Sequence, residues 1–301
     1  MRKVAWAFAG QGAESSGMGL ELAEHFPEAA QLLSWTSHLL KLDVVRLLSR
    51  GSKLLQQTAI LQPVLVAVSL GAAAALRSRG QEPDVVLGHS LGEWPAWSVA
   101  GGVDPTVAIE LAVLRGSLMA EQAQRHPGGL VTLEGYTFED IVSRLSPETT
   151  SQVALAADNG AGILTLASLD PTLGQLCSWG GTRLPVAGAW HHPCMAEIVP
   201  PIERVIRAAE RETLLPMISN RSGQLIPAGC RIGADLAHQL AQPVQWGRSI
   251  ETLASLGVTD LVLVGPARRL RGLVSRQVAT ILDTHLADDL ASLNQLMEDL
   301  A

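Results

Sequence analysis

Residues 84–94 read DVVLGHSLGEW, and this stretch decides the fold. Its apolar run at 84–88 predicts a buried strand, and the residues from Leu91 onward predict a helix. Between them lies Gly88-His89-Ser90-Leu91-Gly92, a G-x-S-x-G sequence typical of a sharp strand-to-helix turn that exposes the serine hydroxyl. We therefore predict an α/β fold with Ser90 as a candidate nucleophile, because the following helix N-terminus favours a developing oxyanion.

Apolar runs and helical patterns alternate both before residue 128 and after residue 188. The predicted strands lie at 4–9, 84–88, 215–218 and 261–264, and the predicted helices at 20–48, 63–79 and 108–124. This alternation implies a mainly parallel sheet that helices cover on both faces. We predict that residues 1–127 and 189–301 together form one α/β hydrolase-like catalytic body.

The segment 128–188 has a different pattern, with short strands and short helices. The predicted strands lie at 130–133, 153–157, 163–167 and 183–187, and the predicted helices at 137–145 and 171–179. Their order, β-α-β-β-α-β, is typical of a ferredoxin-like unit. We therefore predict that residues 128–188 form a small ferredoxin-like subdomain inserted into the body.

The charge of the chain restricts its partners. Its 301 residues carry a formal net charge of −7, which argues against a nucleic-acid binder because phosphate contacts need clustered Lys and Arg. An acidic protein partner would need a local basic patch. The candidates for such a patch, with a solvated surface as the alternative interpretation, are Arg268, Arg269, Arg271 and Arg276.

Cysteine usage and hydropathy favour a reduced, cytoplasmic setting. The three cysteines are widely spaced and include no CxxC pair, which predicts neither a disulfide framework nor a zinc site. The first ten residues contain too short an apolar run for a signal peptide. The longest apolar stretch, 60–76, is interrupted by polar residues, so it predicts a buried helix and no membrane span.

A serine nucleophile needs a base, because its hydroxyl reacts poorly at neutral pH. His191 and His192 directly follow the predicted strand at 183–187, where a side chain can project from a sheet edge, and local reasoning does not choose between them. His238 also remains possible. His89 points away along the turn, which favours packing over a role as the base. The spacing of the His-His pair matches no helix-based metal-ligand pair, so we predict no metal site.

Eight short motifs follow one another between residues 4 and 274. They are Phe8-Ala9-Gly10-Gln11-Gly12, Gln62-Pro63, Gly88-His89-Ser90-Leu91-Gly92-Glu93, Arg115-Gly116 with Met119, Ala189-Trp190-His191, Ser219-Asn220, Gln242-Pro243-Val244-Gln245-Trp246 and Val264-Gly265-Pro266. In this order they resemble the motifs of malonyl-CoA:acyl-carrier-protein transacylases of fatty acid synthesis and of the acyltransferase domains of polyketide synthases.

The resemblance implies a role for each catalytic position. Ser90 would be the nucleophile and His191 the general base. The backbone carbonyl of Gln239 would orient the histidine in place of an Asp side chain. The backbone N–H groups of Gln11 and Leu91 would form the oxyanion hole.

The resemblance also implies a substrate site. Arg115 would pair with the free carboxylate of a malonyl group, whereas without the resemblance a surface salt bridge is the better interpretation. Gln62, Trp190, Asn159 and His89 complete the candidate substrate-binding set. Trp190 stands where malonyl-selective members have Phe, so a larger ring disfavours branched acyl groups or redirects the site towards acetyl or another unusual group. His192 replaces a common Ser and is predicted to be a solvent-facing rim residue.

The reaction implied is malonyl transfer from coenzyme A to the phosphopantetheine thiol of an acyl carrier protein, through an ester on Ser90. Acyl-CoA is then a substrate, with no tightly bound cofactor and no metal, and the enzyme is expected to be a monomer. The alternatives are an editing acyl hydrolase of the same fold, a transferase for another short acyl group, a generic esterase and a non-catalytic docking module. Arg115 argues against the editing hydrolase, because only a carboxylated substrate explains that arginine.

Overall fold

The fold was analysed in a computed structural model that describes residues 2–278 and 282–300. The strands are β1 Val4–Phe8, β2 Val85–Gly88, β3 Gly128–Glu134, β4 Val153–Asp158, β5 Ile163–Leu169, β6 Thr182–Arg183, β7 Met217–Ile218, β8 Leu225–Ile226, β9 Val244–Gln245, β10 Asp260–Val264 and β11 Asp283–Ala287. The α-helices are α1 Leu20–His25, α2 Pro27–Leu40, α3 Val44–Arg50, α4 Thr58–Ser78, α5 Glu93–Val99, α6 Pro105–Arg125, α7 Phe138–Ser143, α8 Pro147–Thr150, α9 Leu173–Ser178, α10 Val199–Ala209, α11 Gly233–His238, α12 Trp246–Ser255, α13 Arg268–Val278 and α14 Leu290–Leu300.

The larger sheet has six strands in the spatial order β11-β10-β1-β2-β7-β8. All neighbouring pairs are parallel except β7 and β8, which form an antiparallel pair at one edge. The apolar strands β1, β2 and β10 occupy the centre, and their side chains pack into two apolar clusters on opposite faces of the sheet. Both faces of this sheet are thus covered, as parallel strands require. The prediction of an α/β fold with a mainly parallel sheet is confirmed.

The smaller sheet has the order β6-β3-β5-β4-β9. Among the four strands from residues 128–183, each neighbouring pair is antiparallel. Numbered along the chain, these strands lie in the order 4-1-3-2, which is the ferredoxin-like arrangement. Its fifth strand, β9, belongs to the chain beyond residue 189 and pairs parallel with β4. The small sheet is therefore hydrogen-bonded to the body at the edge that β9 occupies.

One helix forms most of the apolar interior next to the larger sheet. Helix α4 packs mainly against α2 and α6 and is buried along nearly its whole length. Among the described residues it is the one helix long and apolar enough to cross a membrane, and 83% of its most apolar window is buried inside the protein. The helix begins at Thr58, five residues before the predicted start, so Pro63 lies inside it and leaves a carbonyl one turn earlier without its usual donor.

Two other boundaries differ from the predictions. The strand predicted at 183–187 consists of Thr182–Arg183 alone, because Pro185 has no N–H to continue the ladder. The helical pattern at 20–48 is divided into α1, α2 and α3. The break after α2 falls at Lys41, whose φ of 54° is left-handed and ends the helix.

The C-terminal pair β11 and α14 was not predicted from the sequence. Strand β11 reads DTHLA, and its three polar residues hide it from a search for apolar runs. It pairs parallel with β10 along five residues. His285 of β11 places Nε2 3.0 Å from an Oδ1 of the buried Asp260, so this polar residue is accommodated by a charged partner on the neighbouring strand.

Candidate active site

The turn after β2 holds Ser90 in a strained backbone conformation. Ser90 has a φ of 52°, which is uncommon for a residue with a side chain. The turn also packs closely against β1, since a Cβ on Gly92 would lie 2.0 Å from the Phe8 carbonyl oxygen. A Cβ on Gly10 would lie 2.7 Å from the carbonyl oxygen of His89. The loop that follows β1 is therefore held directly against the serine turn.

The structure brings together Ser90 and His191, which lie 101 residues apart in the sequence. The Ser90 Oγ lies 2.7 Å from His191 Nε2. His191 also has a left-handed φ, of 66°, and is 5% exposed. Two strained residues that meet at hydrogen-bonding distance indicate a functional pair, because such strain persists where surrounding contacts enforce it.

The second ring nitrogen of His191 fixes the tautomer. Nδ1 lies 2.8 Å from the carbonyl oxygen of Gln239 and 3.0 Å from that of Gln242. Carbonyl oxygens only accept, so Nδ1 carries the proton and Nε2 is left to accept from Ser90. Burial and, to a smaller extent, the positive charge of Arg115 together lower the pKa of His191 to about 4. The imidazole is therefore a neutral base.

We predict that NMR titration of ring-¹⁵N-labelled histidine will place the pKa of His191 near 4, well below its ordinary value of 6.5. Arg115→Gln should raise this pKa, because it removes a positive charge that disfavours the imidazolium. Arg125→Gln, an exposed change near the end of the same helix, is the control and should leave the titration of His191 unchanged. If the pKa of His191 were the same in Arg115→Gln as in the wild type, the electrostatic effect of Arg115 on His191 would be contradicted.

A buried hydrogen-bond network supports this pair. The side-chain Oδ1 of Asn220 accepts from the backbone N–H of Ser90 at 2.7 Å, and its Nδ2 donates to the Gly88 carbonyl. Glu93 accepts from the Asn220 backbone N–H at 2.8 Å and from Gln239 Nε2 at 2.7 Å. The sequence motifs contained Glu93 and Asn220, but neither was assigned a role, since their contacts join segments about 130 residues apart.

Arg115 lies on α6 in a buried position beside Gln62. It is 1% exposed, and its Nη1 donates to Gln62 Oε1 at 2.7 Å. Its Nε and Nη2 atoms are buried and have no hydrogen-bond partner in the part of the chain that the structure describes. Burial lowers the pKa of Arg115 to about 9, while Glu93 acts in the opposite direction. The prediction of a surface salt bridge, made for Arg115 without the resemblance, is wrong, because the guanidinium is inside the protein.

Gln62 connects Arg115 to the wall of a cavity. Its Nε2 donates to Gln11 Oε1 at 3.1 Å and lies 3.3 Å from the Met119 sulfur. Gln11 in turn donates to Thr58 Oγ1 at 3.1 Å. Gln11 and Met119 line the cavity, whereas Arg115 and Gln62 are not among its described lining residues. Arg115 therefore stands one layer behind the wall, with two unpaired donors.

The cavity has a volume of about 300 Å³ and opens above Ser90 and His191. Most of its wall is apolar and comes from both the body and the 128–188 segment. The apolar lining residues are Ala9, Ala13, Met119, Leu130, Ala156, Ala157, Ile163, Leu184, Pro185, Val186, Trp190, Leu270 and Leu273. A wall of this kind suits a ligand with an apolar body and limits the access of water to the serine.

Three of the predicted substrate-binding residues line this cavity. His89 Nε2 lies 2.9 Å from Asn159 Oδ1, and the His89 ring packs at 5.4 Å from the ring of Trp246. Burial lowers the pKa of His89, so it stays neutral. Trp190 is 4% exposed and packs over Gly188, where a Cβ would come within 2.5 Å of the indole. The absence of a side chain at residue 188 therefore makes room for the large ring.

His192 is not at the rim, and that prediction is wrong. It is 5% exposed, and its Nδ1 accepts from the backbone N–H of Cys194 at 3.1 Å. It thus caps the short 3-10 helix Pro193–Ile198, whose first N–H groups need an acceptor. His238 is half exposed and lies 3.8 Å from Glu203, away from Ser90. Of the histidines that the sequence left open as the base, the structure places only His191 against Ser90.

Two of the four arginines predicted as a basic patch form ion pairs with acidic side chains. Arg268 pairs with Asp288 and Asp289, and Arg276 pairs with Glu134. Arg269 is exposed and lines the cavity next to the loop after β1. Within residues 2–278 and 282–300 there is no cluster of three or more His, Cys, Asp or Glu side chains that could hold a metal ion.

An α/β fold with a histidine-paired serine on a strand-to-helix turn, beside an apolar cavity, is typical of enzymes of acyl-group chemistry. The family model of the acyl transferase domain matches residues 5–169, which is more than half of the chain. The chain belongs to this acyl transferase family.

Relatives and solved structures agree with this assignment. A malonyl CoA-acyl carrier protein transacylase from Haemophilus influenzae is 30% identical over 313 residues, with 100% of both chains covered. A type I polyketide synthase of phenolphthiocerol synthesis from Mycobacterium marinum is 32% identical over 92% of this chain and 14% of its own length.

Two solved structures share the whole architecture. The malonyl-CoA:ACP transacylase of Synechocystis has a TM-score of 0.88 at 28% identity and covers 97% of this chain and 99% of its own. A malonyl-transacylase in complex with its type II PKS acyl-carrier protein has a TM-score of 0.90 at 28% identity, with 99% of both chains covered.

Proposed function

We propose that this protein transfers a malonyl group from coenzyme A to the phosphopantetheine thiol of an acyl carrier protein. The observation that carries the proposal is the 2.7 Å contact between Ser90 Oγ and His191 Nε2 beneath the cavity, together with the buried guanidinium of Arg115. The relatives named malonyl CoA-acyl carrier protein transacylase support the choice of acyl group and of acceptor.

The first half-reaction forms an ester on Ser90. His191 Nε2 takes the hydroxyl proton while Oγ attacks the thioester carbonyl. The bond from Oγ to the acyl carbon forms, the bond from carbon to sulfur breaks, and coenzyme A leaves as its thiol with a proton from His191. The carbonyl of Gln239 holds the Nδ1 proton throughout and stabilises the imidazolium that forms.

The tetrahedral intermediate needs donors for its oxyanion. We assign this role to the backbone N–H groups of Gln11 and Leu91. This assignment is supported by the close packing of the loop after β1 on the serine turn. A Cβ on Gly10, the residue before Gln11, would lie 3.5 Å from the backbone nitrogen of Leu91, so the two segments that carry these N–H groups are in contact. Preorganised backbone donors of this kind act strongly because they sit in a site with little water.

The second half-reaction returns the serine. The thiol of the carrier attacks the malonyl ester, His191 accepts the thiol proton, and Ser90 leaves as the alcohol. Water competes for the same ester, so the apolar wall contributed by residues 130, 163 and 184–186 favours transfer over hydrolysis. The reaction uses acyl-CoA as a substrate and no tightly bound cofactor. We further propose that the enzyme works as a monomer in the cytoplasm.

Arg115 provides a reason for a carboxylated substrate. A buried guanidinium with two unpaired nitrogen atoms is costly unless an anion completes it. A malonyl carboxylate would do so with two parallel hydrogen bonds to Nε and Nη2, a geometry that arginine offers and lysine does not. Because Arg115 lies behind the cavity wall, this contact requires the lining side chains in front of it to move aside when the substrate binds. Gln62 would align the guanidinium for this contact through its bond to Nη1.

The test compares Arg115→Gln with the wild-type protein on malonyl-CoA and acetyl-CoA. We expect kcat/KM for malonyl transfer to fall about 100-fold, because one partner of a buried charge pair is lost. Acetyl transfer should change little, since acetyl has no carboxylate. Arg125→Gln on the same helix is the matched control and should retain malonyl transfer. Equal losses on both substrates, or hydrolysis faster than transfer in the wild type, would reject the proposal.

A further inference from the structure

Glu93 is a buried carboxylate that the reaction itself does not use. It is the first residue of α5, directly after the serine turn, and it is 1% exposed. Each of its oxygen atoms accepts one N–H group: Oε1 accepts from the backbone of Asn220 at 2.8 Å, and Oε2 accepts from Gln239 Nε2 at 2.7 Å. A buried carboxylate without a direct ion pair is costly, so its contacts require an explanation.

The two residues that Glu93 contacts support opposite halves of the Ser90–His191 pair. On one side, the Asn220 side chain accepts from the Ser90 backbone N–H and donates to the Gly88 carbonyl. On the other side, the Gln239 backbone carbonyl accepts from His191 Nδ1 at 2.8 Å. The Gln239 side chain also donates to the Ser90 carbonyl at 3.1 Å. One carboxylate therefore joins the segment that supports the serine to the segment that supports the histidine.

We propose that Glu93 is a positioning residue that fixes the distance between Ser90 and His191 by holding Asn220 and Gln239 at once. Within the described residues, the Glu93 oxygens accept from Asn220 and Gln239 and not from Ser90 or His191, so Glu93 acts through its two neighbours. The inference rests on the proposed function only in that Ser90 and His191 are the reacting pair, and it holds for any acyl group.

The chemistry of the contacts explains why a carboxylate is needed there. Both neighbours present N–H donors, so the residue between them must accept on both sides. A glutamine of the same shape accepts on one side only and turns an NH₂ group towards the other donor. The Asn220 backbone N–H can only donate, and Gln239 cannot turn its amide oxygen towards a glutamine at residue 93 without losing its donation to the Ser90 carbonyl.

Nearby charges both favour and oppose the ionised form of Glu93. Burial, with a smaller contribution from Asp235, raises the pKa of Glu93 to about 8, so the carboxylate that accepts on both sides predominates only above that pH. The two N–H donors and Arg221 act in the opposite direction. Arg115 is the other buried charge that interacts with Glu93. An apolar residue would avoid this desolvation cost, so the carboxylate is retained for the geometry that it imposes.

The experiment measures phosphonylation of Ser90 in the full-length protein by a fluorophosphonate at about pH 9, where Glu93 is ionised, with the limiting rate and the half-saturation concentration determined separately. In Glu93→Gln we expect the limiting rate to fall at least about tenfold, since a misplaced base slows attack. The half-saturation concentration should stay unchanged, because the cavity is intact. Glu110→Gln, an exposed change on α6, is the control and should label like the wild type.

A second variant protects the test against a folding defect. Gln239→Met keeps the backbone carbonyl and removes the side-chain link, so it should lower the limiting rate by a similar factor. The double variant should lose no more than Gln239→Met alone, because that variant already lacks the contact with Glu93 as well as the donation to the Ser90 carbonyl. If Glu93→Gln does not fold, Gln239→Met decides alone. An unchanged limiting rate in a folded variant, or fully additive losses, would overturn the proposal.

The two proposals fail differently. A wild-type protein that is phosphonylated on Ser90 but transfers no malonyl group would reject the malonyl transferase. The role of Glu93 would still be decided by the labelling rates, which involve no acyl group.

Discussion

Ser90→Ala is expected to reduce malonyl transfer to a carrier-protein thiol by about 10⁴-fold or more. The reason is that Oγ forms the covalent bond that divides the reaction into two steps, and alanine leaves nothing to carry the acyl group. The side chain is small and half-buried, so its removal should leave the fold intact. Steady-state transfer, followed as carrier protein loaded from malonyl-CoA, provides the measurement.

The control for this prediction is Ser151→Ala, an exposed serine in the 128–188 segment. It should transfer malonyl at the wild-type rate. A Ser90→Ala protein that is folded, as judged by circular dichroism, and still transfers at more than about one hundredth of the wild-type rate would exclude the ester mechanism.

His191→Asn should lower the acylation rate by about 10³-fold or more, because it removes the acceptor that lies 2.7 Å from Ser90 Oγ. The adjacent residue offers a matched control. In His192→Asn the amide oxygen can still cap the helix at Pro193–Ile198, so the variant should fold and retain most of its activity. Pre-steady-state release of coenzyme A measures the acylation step directly.

The comparison of neighbouring histidines distinguishes two accounts. If a folded His192→Asn variant lost as much activity as His191→Asn, the assignment of His191 as the base from its 2.7 Å contact with Ser90 would be contradicted. If His191→Asn retained acylation, then a different group would have to take the Ser90 proton.

The serine turn could be predicted from the sequence because its signal is local. An apolar strand, two glycines around His89-Ser90-Leu91 and a following helix are all contained within ten residues. The alternation of strands and helices likewise determines the parallel sheet. The ferredoxin-like order at 128–188 was predicted from strand and helix spacing alone.

The base could not be chosen locally. His191 and His192 are adjacent, and only the left-handed φ of His191 turns its ring towards Ser90 while His192 turns to cap a helix. Residue order contains no information on that backbone angle, because neither residue is glycine. The resemblance to a family supplied the choice that local reasoning left open.

The network around Glu93 was missed for a related reason. Its partners Asn220 and Gln239 lie 127 and 146 residues further along the chain, and no local spacing relates them. Strand β11 was missed for a different reason. Its residues are contiguous, but Asp283 and His285 interrupt the apolar run by which a buried strand is predicted. The shortened strand at 183–187 shows that Pro185 outweighs its apolar neighbours.

The most direct test of the central claim is mass spectrometry of the intact protein after mixing with malonyl-CoA and then with carrier protein. We predict a mass gain of one malonyl group that peptide mapping places on Ser90. This gain should disappear on addition of the carrier, with the malonyl group recovered on the phosphopantetheine thiol. The account is contradicted if no adduct forms, if it forms on another residue, or if the ester is lost to water faster than to the carrier.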